Sequence, residues 1–303
     1  MKNKLKSLLN QLPYIKGLAK QTANFDKNAC FPAGHYYSPI INIDEIKLKE
    51  NIIWKNNLAD AINGINLNTP KQLELIAEFN KYYNEIPFKA HKQENLRYYF
   101  ENELYSYTDG IMLYNMLRHL KPKQLIEVGS GFTSALMLDV NDLFLDNQVK
   151  LTFIEPYTER LESLITLKDK TTTTILKKFV QEVSLDEFKK LEAGDILFID
   201  STHVSKTGSD VNFLYFEVLP ILKKGVFIHI HDVFYPFEYP KDWVYGGKNW
   251  NEDYLLRAFL MFNNAFEIKI FSHYLHTLHK NVFKDMPLTY KNFGGNIWLE
   301  KVI

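Results

Sequence analysis

The chain has 303 residues, of which 46% are hydrophobic and 24% charged, which suits a globular protein of one large domain or of a domain plus an appendage. Its 36 Lys and Arg equal its 36 Asp and Glu, which argues against a nucleic-acid-binding body, whose footprint is a basic excess. Cys30 is the single cysteine, so an internal disulfide and a thiolate metal cluster are excluded, and a reducing compartment, the cytoplasm, is the expected location.

The opening MKNKLKSLLNQLPYIKGLAK has lysines but lacks the continuous apolar core of a secretory signal. Nowhere does the chain approach the roughly 18 apolar residues needed to cross a bilayer. Leu5, Leu8, Leu9 and Leu12 follow helical spacing with lysines between them. Such a basic amphipathic helix is expected to pack on its own protein or on a second copy of the chain, with peripheral membrane contact as its other use. Residues 1–100 are polar, rich in Asn and Lys, and read as a mainly helical cap or extension. Residues 101–303 read as the main domain.

That domain opens with SYTDGIMLYNMLRHL, a helix with one apolar face and candidate caps at Thr108 or Asp109. Strands and helices then alternate. QLIEV, LTFIE, TTTILKKFV, GDILFID and GVFIHIHD read as strands. FTSALMLDVNDLF, YTERLESLITL, SLDEFKKL and VNFLYFEVLPIL read as the intervening helices. EDYLLRAFLMF is a further helix, and FEIKIF and NIWLEKVI are two closing strands that can pair antiparallel. The pattern predicts a doubly wound α/β fold, with a mostly parallel seven-stranded sheet and helices on both faces.

Ligands of such sheets bind beyond the carboxyl ends of the strands, and four of these ends are polar: Glu127, Glu155, Asp200, and His231 with Asp232. Glu155 ends the second strand, 24 residues beyond Gly131, where a carboxylate can accept both hydroxyls of a ribose. Ser134 stands where an NAD fingerprint carries its third glycine, which disfavours a nicotinamide-dependent oxidoreductase. Glu127 either fixes the glycine loop or neutralises an ammonium.

The run Glu127-Val-Gly129-Ser130-Gly131-Phe-Thr133 resembles motif I of class I S-adenosylmethionine-dependent methyltransferases, with Thr133 where a third glycine often stands. The resemblance covers about residues 105–303, through FIEPYTERL, FVQEVSLDEF, LFIDSTHVSKTGSDV, HIHDVFYPFEYP and GGNIWLEK. It is nearest to the O-methyltransferase-like proteins found with bacterial polysaccharide or secondary-metabolite genes. It implies a Rossmann-like methyltransferase fold and S-adenosylmethionine as cofactor. Gly129, Ser130 and Gly131 would lie along its methionine part, with Glu127 behind them. Glu155 would hold the ribose, Gln181 and Glu182 would meet the adenine, and Asp200 would face the sulfonium or the acceptor.

Two chemistries fit the remaining strand ends. In one, His203 takes the proton from an acceptor hydroxyl while Asp200 or Asp232 orients it, with His231 beside them. In the other, Asp200, Asp232 and His231 hold Mg²⁺ or Mn²⁺, which lowers the hydroxyl pKa. The second resembles catechol and macrolide-sugar O-methyltransferases, but the pair here is His231-Asp232 where those enzymes have Asp-Asn or Asp-Asp. His203 is expected on a loop able to swing over the sulfonium, and His231 is expected to need to leave its strand to reach it. His229 is expected to be a hydrogen-bonded core histidine, and His273, His276 and His279 to lie at the surface.

The aromatic stretch VFYPFEYPKDWVYGGKNW is expected to serve as an acceptor platform, a packed lid, or both in part. Lys206, Lys241 and Lys248 read as solvated, or as contacts for an acidic acceptor. The acceptor class expected is a small molecule or glycan. A non-catalytic nucleoside-binding accessory protein on the same fold is the remaining alternative.

Overall fold

A computed structural model describes residues 12–303. The basic helix expected at Leu5, Leu8 and Leu9 lies outside the described residues. The chain divides into two compact units, one of Met1–Asn56 with Lys241–Asn249, the other of Asn57–Pro240 with Trp250–Ile303. The sequence pattern places a boundary at residue 100, whereas residues 57–100 fall in the larger unit. Their side chains explain this. Ile76, Phe79, Phe88, Tyr98 and Phe100 are buried, and Phe88 meets Tyr98 edge-on with ring centroids 4.9 Å apart. Arg97 also pairs with Asp139, Asp142 and Asp169 at 2.7, 2.8 and 2.6 Å.

In the smaller unit, Pro13–Asn28, Ile43–Leu48, Glu50–Ile53 and Lys241–Tyr245 are helical. Glu50 accepts hydrogen bonds from Lys241 and from the Tyr245 hydroxyl. Lys248 lies 3.5 Å from the Trp243 ring centroid, so neither lysine is simply solvated.

The larger unit is built on seven strands: β1 (Gln124–Val128), β2 (Lys150–Ile154), β3 (Thr174–Leu176), β4 (Ile196–Ile199), β5 (Phe227–His231), β6 (Phe266–Phe271) and β7 (Asn296–Lys301). Their order is β3-β2-β1-β4-β5-β7-β6. The first five pair in parallel, and β7 runs antiparallel between β5 and β6. β4 is a continuous apolar run, and four of the five residues of β1 are buried, as in a parallel sheet covered on both faces. The order reverses between β1 and β4, and there a cleft opens beyond the strand ends.

Several elements differ from expectation. TTTILKKFV yields only the three-residue β3, followed by a 3₁₀ turn at Val180–Glu182. YTERLESLITL ends at Leu164, and a second helix, Leu167–Thr172, starts where the Thr166 hydroxyl accepts the Asp169 amide. VNFLYFEVLPIL is helical but widens to a π-turn at Leu214–Val218, just before Pro220, which has no N–H to continue an α ladder. The expected caps of helix Tyr107–Leu120 have other partners. Thr108 donates to Thr289 and Asn292 carbonyls, and Asp109 accepts from Gly295 and Asn296. No helix among the described residues is long and apolar enough to cross a membrane.

Candidate active site

The cleft begins at the turn after β1. Gly129 has φ +84°, and a Cβ there would sit 1.8 Å from the Asp200 carbonyl oxygen, so the left-handed turn between β1 and β4 admits glycine alone. Glu127 is fully buried and accepts the hydroxyls of Thr133 and Ser134, which close the loop onto the start of helix Phe132–Phe144. Burial pushes its carboxyl up to about 8. Of the two roles open to Glu127, the geometry matches loop fixing, because no part of the residue faces the cleft.

Glu155, half-buried beyond β2, accepts the amides of Ser130 (3.1 Å) and Tyr157 (2.8 Å), one on each carboxylate oxygen. Each oxygen keeps a further lone pair for a ligand hydroxyl. Beside it lies a cavity of about 330 Å³ lined by Ile154, Pro156, Tyr157, Phe179, Val180 and Gln181. The Gln181 amide donates to the Gly208 carbonyl, while its oxygen is buried without a partner. Glu182 is not brought to this space; it is exposed and accepts the Phe179 amide. Lys206 lines the same cavity.

A second cavity, about 320 Å³, shares Gly129, Glu155 and Asp200 with the first and reaches the ends of β4 and β5. Here Asp200, His203, His231 and Asp232 converge. One Asp200 oxygen lies 3.4 Å from both His203 Nε2 and His231 Nδ1. Asp232 oxygens lie 3.5 Å from His203 Nε2 and 3.6 Å from His231 Nδ1. His203 and Asp232 both have positive φ, +59° and +54°, a strained conformation for residues with a Cβ.

His203 is held from behind by a residue the sequence reading missed. Glu252 Oε2 lies 2.9 Å from His203 Nδ1, and Glu252 is only 1% exposed. The His203 carbonyl accepts the Asn251 and Glu252 amides, and the Asn251 side chain bonds both the amide and the carbonyl of Ser205. This corrects the expectation of a swinging loop: His203 is 4% exposed and its segment is pinned at both His203 and Ser205. His231 likewise need not leave its strand, because as the last residue of β5 it already lines the cleft. Glu252 opens a helix whose first-turn acids look like ordinary dipole partners, and no local pattern links it to a histidine 49 residues earlier.

Electrostatics divides the histidines. Burial alone would lower His203, but Asp200 and Glu252 raise it well above the ordinary histidine range. His231 is likewise penalised by burial yet held at about 10 by Asp232 and Asp200. Burial opposes the ionised Asp200, but both imidazoles outweigh it and keep its carboxyl far below the usual range.

His229 sits in the core as expected, yet neither ring nitrogen has a hydrogen-bond partner. It stacks on Phe198, its β4 neighbour, with centroids 3.9 Å apart. His276 is buried against Phe283, so the surface reading fails there, while His273 is half-buried and accepts the Tyr235 amide. His279 is partly exposed and meets the Tyr274 hydroxyl at 2.9 Å. Phe234, Tyr235, Phe237 and Tyr239 are buried, which leaves Trp250, at 4.5 Å from the His203 ring, as the aromatic of that stretch lining the cleft.

A family model described as a methyltransferase domain matches residues 126–233, the segment that runs from the glycine turn to the end of β5. An uncharacterized protein of Archaeoglobus fulgidus is 31% identical over 165 residues, 54% of this chain and 74% of that protein. The chain belongs to the S-adenosylmethionine-dependent methyltransferases. Among solved structures, distant likenesses include an apo-structure of CmcI-N160, at 15% identity and TM-score 0.44 over 85% of this chain and 95% of that one. Another is PaMTH1 of Podospora anserina, bound to S-adenosylhomocysteine, at 13% identity and TM-score 0.43 over 91% and 99%. A third is the O-methyltransferase TomG of Streptomyces achromogenes, at 12% identity and TM-score 0.38 over 86% and 97%.

The methyltransferase cofactor fits what the cleft offers. Glu155 has acceptor capacity for a ribose diol. The orphaned Gln181 oxygen, between Tyr157, Phe179 and Val180, suits an adenine amino group. Gly131 leaves space for a chain beside the turn, a Cβ there meeting only Arg160. A divalent cation fits as well, because ligand atoms of Asp200, His231 and Asp232 all lie within 4.8 Å of one another.

Proposed function

We propose that this methyltransferase transfers the methyl group of S-adenosylmethionine to a hydroxyl of a small-molecule acceptor of the sugar or glycan class, with His203 as proton acceptor. The observation that supports it is the Glu252–His203 pair: Nδ1 is held from behind while Nε2 faces the cleft beside Asp200 and Asp232. The cofactor supplies an electrophilic methyl on a sulfonium. The acceptor oxygen forms the new C–O bond as the C–S bond breaks, and its proton passes to His203 Nε2 in the fraction of protein whose ring is neutral. That fraction grows as pH rises toward the raised pKa of the ring. Asp200 and Asp232 accept hydrogen bonds from further hydroxyls of a polyol. Trp250 and Phe132 offer the flat faces on which sugar rings stack. Glu155 and Gln181 hold the nucleoside.

A second reading is favoured by the cluster of Asp200, His231 and Asp232. A divalent cation held there would supply Lewis-acid activation of the acceptor hydroxyl. It would also neutralise the two aspartates that now favour a protonated His203.

Incubation with S-adenosylmethionine and a panel of sugars, glycans and phenols should give a product heavier by one methylene. No transfer to any hydroxyl, with transfer to an amine or thiol instead, would reverse the O-methylation reading. Chelation separates the two chemistries. Turnover that persists in chelator supports His203 alone, and turnover that stops and returns with Mg²⁺ or Mn²⁺ supports the cation.

A further inference from the structure

The smaller unit carries a surface that the chemistry of the cleft does not use. Its helix Pro13–Asn28 spans 16 residues and begins at Leu12, which offers no side-chain cap. At about 100° per residue, Tyr14, Ile15, Leu18, Ala19, Thr22 and Phe25 fall within an arc of about 140°. Yet Tyr14 is 76% exposed, and Leu18 and Phe25 are exposed with it. Lys16, Lys20 and Lys27 share a narrow arc on the far side. A helix of this length with Gly17, Thr22 and Asn24 in its interior is marginal in water, so its apolar arc calls for a cover. The chain just beyond it is similar in character. Phe31, His35, Tyr36 and Tyr37 cluster in series, with ring centroids 4.9, 4.7 and 4.1 Å apart, and Tyr36 and Tyr37 are 80% and 63% exposed.

We propose that this helix docks on the surface of an anionic bilayer, its apolar arc in the headgroup layer and its lysines above it. Charge decides the occupant. In sequence, residues 1–28 hold Lys2, Lys4, Lys6, Lys16, Lys20 and Lys27 against a single acid, Asp26, in a chain whose formal charge is zero. A second copy of the helix would bring two such basic segments together, and they would repel. A nucleic acid would meet the lysines and leave the apolar arc wet. An anionic bilayer answers both faces at once: the arc enters the boundary of the acyl chains, and the lysines stay within reach of lipid phosphates and carboxylates. The helix is about 10 Å across, close to one Debye length in physiological salt, so lysines on its far side still feel the surface. Tyrosine, apolar along its ring and polar at its tip, suits the same depth, and Tyr36 and Tyr37 add to the anchor.

The test is flotation of the full chain with phosphatidylcholine vesicles, with and without about 30% phosphatidylserine. The wild type should float with the anionic vesicles and lose most of that binding as salt rises from about 0.05 M to about 0.5 M. Lys16→Gln, Lys20→Gln and Lys27→Gln together should weaken the partition on the order of 100-fold, about fivefold for each lysine near the surface. Leu18→Glu with Phe25→Glu should abolish it. Both variants should keep the wild-type thermal midpoint and S-adenosylhomocysteine affinity, because the substituted side chains are exposed and line neither cavity. A wild type that stays unbound to anionic vesicles at low salt would overturn the proposal, as would equal flotation with neutral ones. Unchanged flotation of the Leu18→Glu, Phe25→Glu variant would also overturn it, leaving a contact by charge alone. A wild-type dimer in the ultracentrifuge that this variant dissociates, without flotation, would give the arc to a second copy instead.

Discussion

The histidines of the cleft and those of helix Ser272–Leu278 are all withdrawn from solvent, wholly or in part, yet their pKa values shift in opposite directions. His203 and His231 are raised, the latter to about 10, while His273 and His276 are lowered to about 4 and about 3. Desolvation penalises all four. Only the cleft pair has carboxylates within reach: Asp200, Asp232 and Glu252 surround His203, whereas His276 stacks on Phe283 and Phe293 and His273 faces a backbone amide. Burial by itself makes a neutral, inert imidazole. Several acids converging on a second buried imidazole mark a place where protons are handled.

The largest effect should come from removing the residue that defines the first region. His203→Ala should lower turnover by roughly 10² to 10⁴, the usual worth of a positioned proton acceptor, with S-adenosylhomocysteine affinity retained. Steady-state rates beside calorimetry check this, and wild-type turnover would break the comparison. Glu252→Gln should cost less, on the order of 10², by leaving the ring in place but misoriented. It should also lower the His203 pKa in the metal-free protein, which NMR titration of the ring would detect.

On the cofactor side, Glu155→Ala should weaken S-adenosylhomocysteine by about 1.5 to 3 kcal/mol without touching the histidines. Glu182→Ala, exposed and turned away, should change nothing. The smallest effect concerns the second region. His273 and His276 have folded pKa values below the unfolded value near 6.5, so the unfolded chain takes up protons first as pH falls. Their contribution is fully present above pH 6.5 and is lost progressively toward pH 4, at up to about 1.4 kcal/mol per pH unit for each histidine. Urea midpoints at pH 7.5 and 5 should show the drop, and His276→Phe should make it shallower.

What the sequence revealed followed from contiguity. The Glu127–Gly131 turn, Glu155, Asp200 and the His231-Asp232 pair each close a strand whose hydrophobic run is visible, and β strands place their ends together by topology. Gln181 and Glu182 were read as equals because a 3₁₀ turn, not composition, decides which of the two faces the cavity. Glu252 was invisible since its partner comes from another loop, and the burial of His276 depends on Phe283 and Phe293, which no helical period announces. The aromatic stretch after β5 reads as an acceptor platform, a packed lid, or both in part, because apolar side chains near a cleft are also what closes the core beneath it, and Phe237 and Tyr239 are buried there.

The position of β7 has a consequence for how the molecule is made. β6 has no sheet neighbour except β7, and β5 meets β7 on the side away from β4. During synthesis, Phe266–Phe271 therefore leaves the ribosome as an apolar strand with nothing to pair with until Asn296–Lys301 follows. For that interval β5 and β6 are both open edges, the state in which chains pair with the wrong partner. Assembly of the sheet is thus completed only once Asn296–Lys301 has been made, and a ribosome stalled before that segment would release a chain whose β5 and β6 both lack their partner.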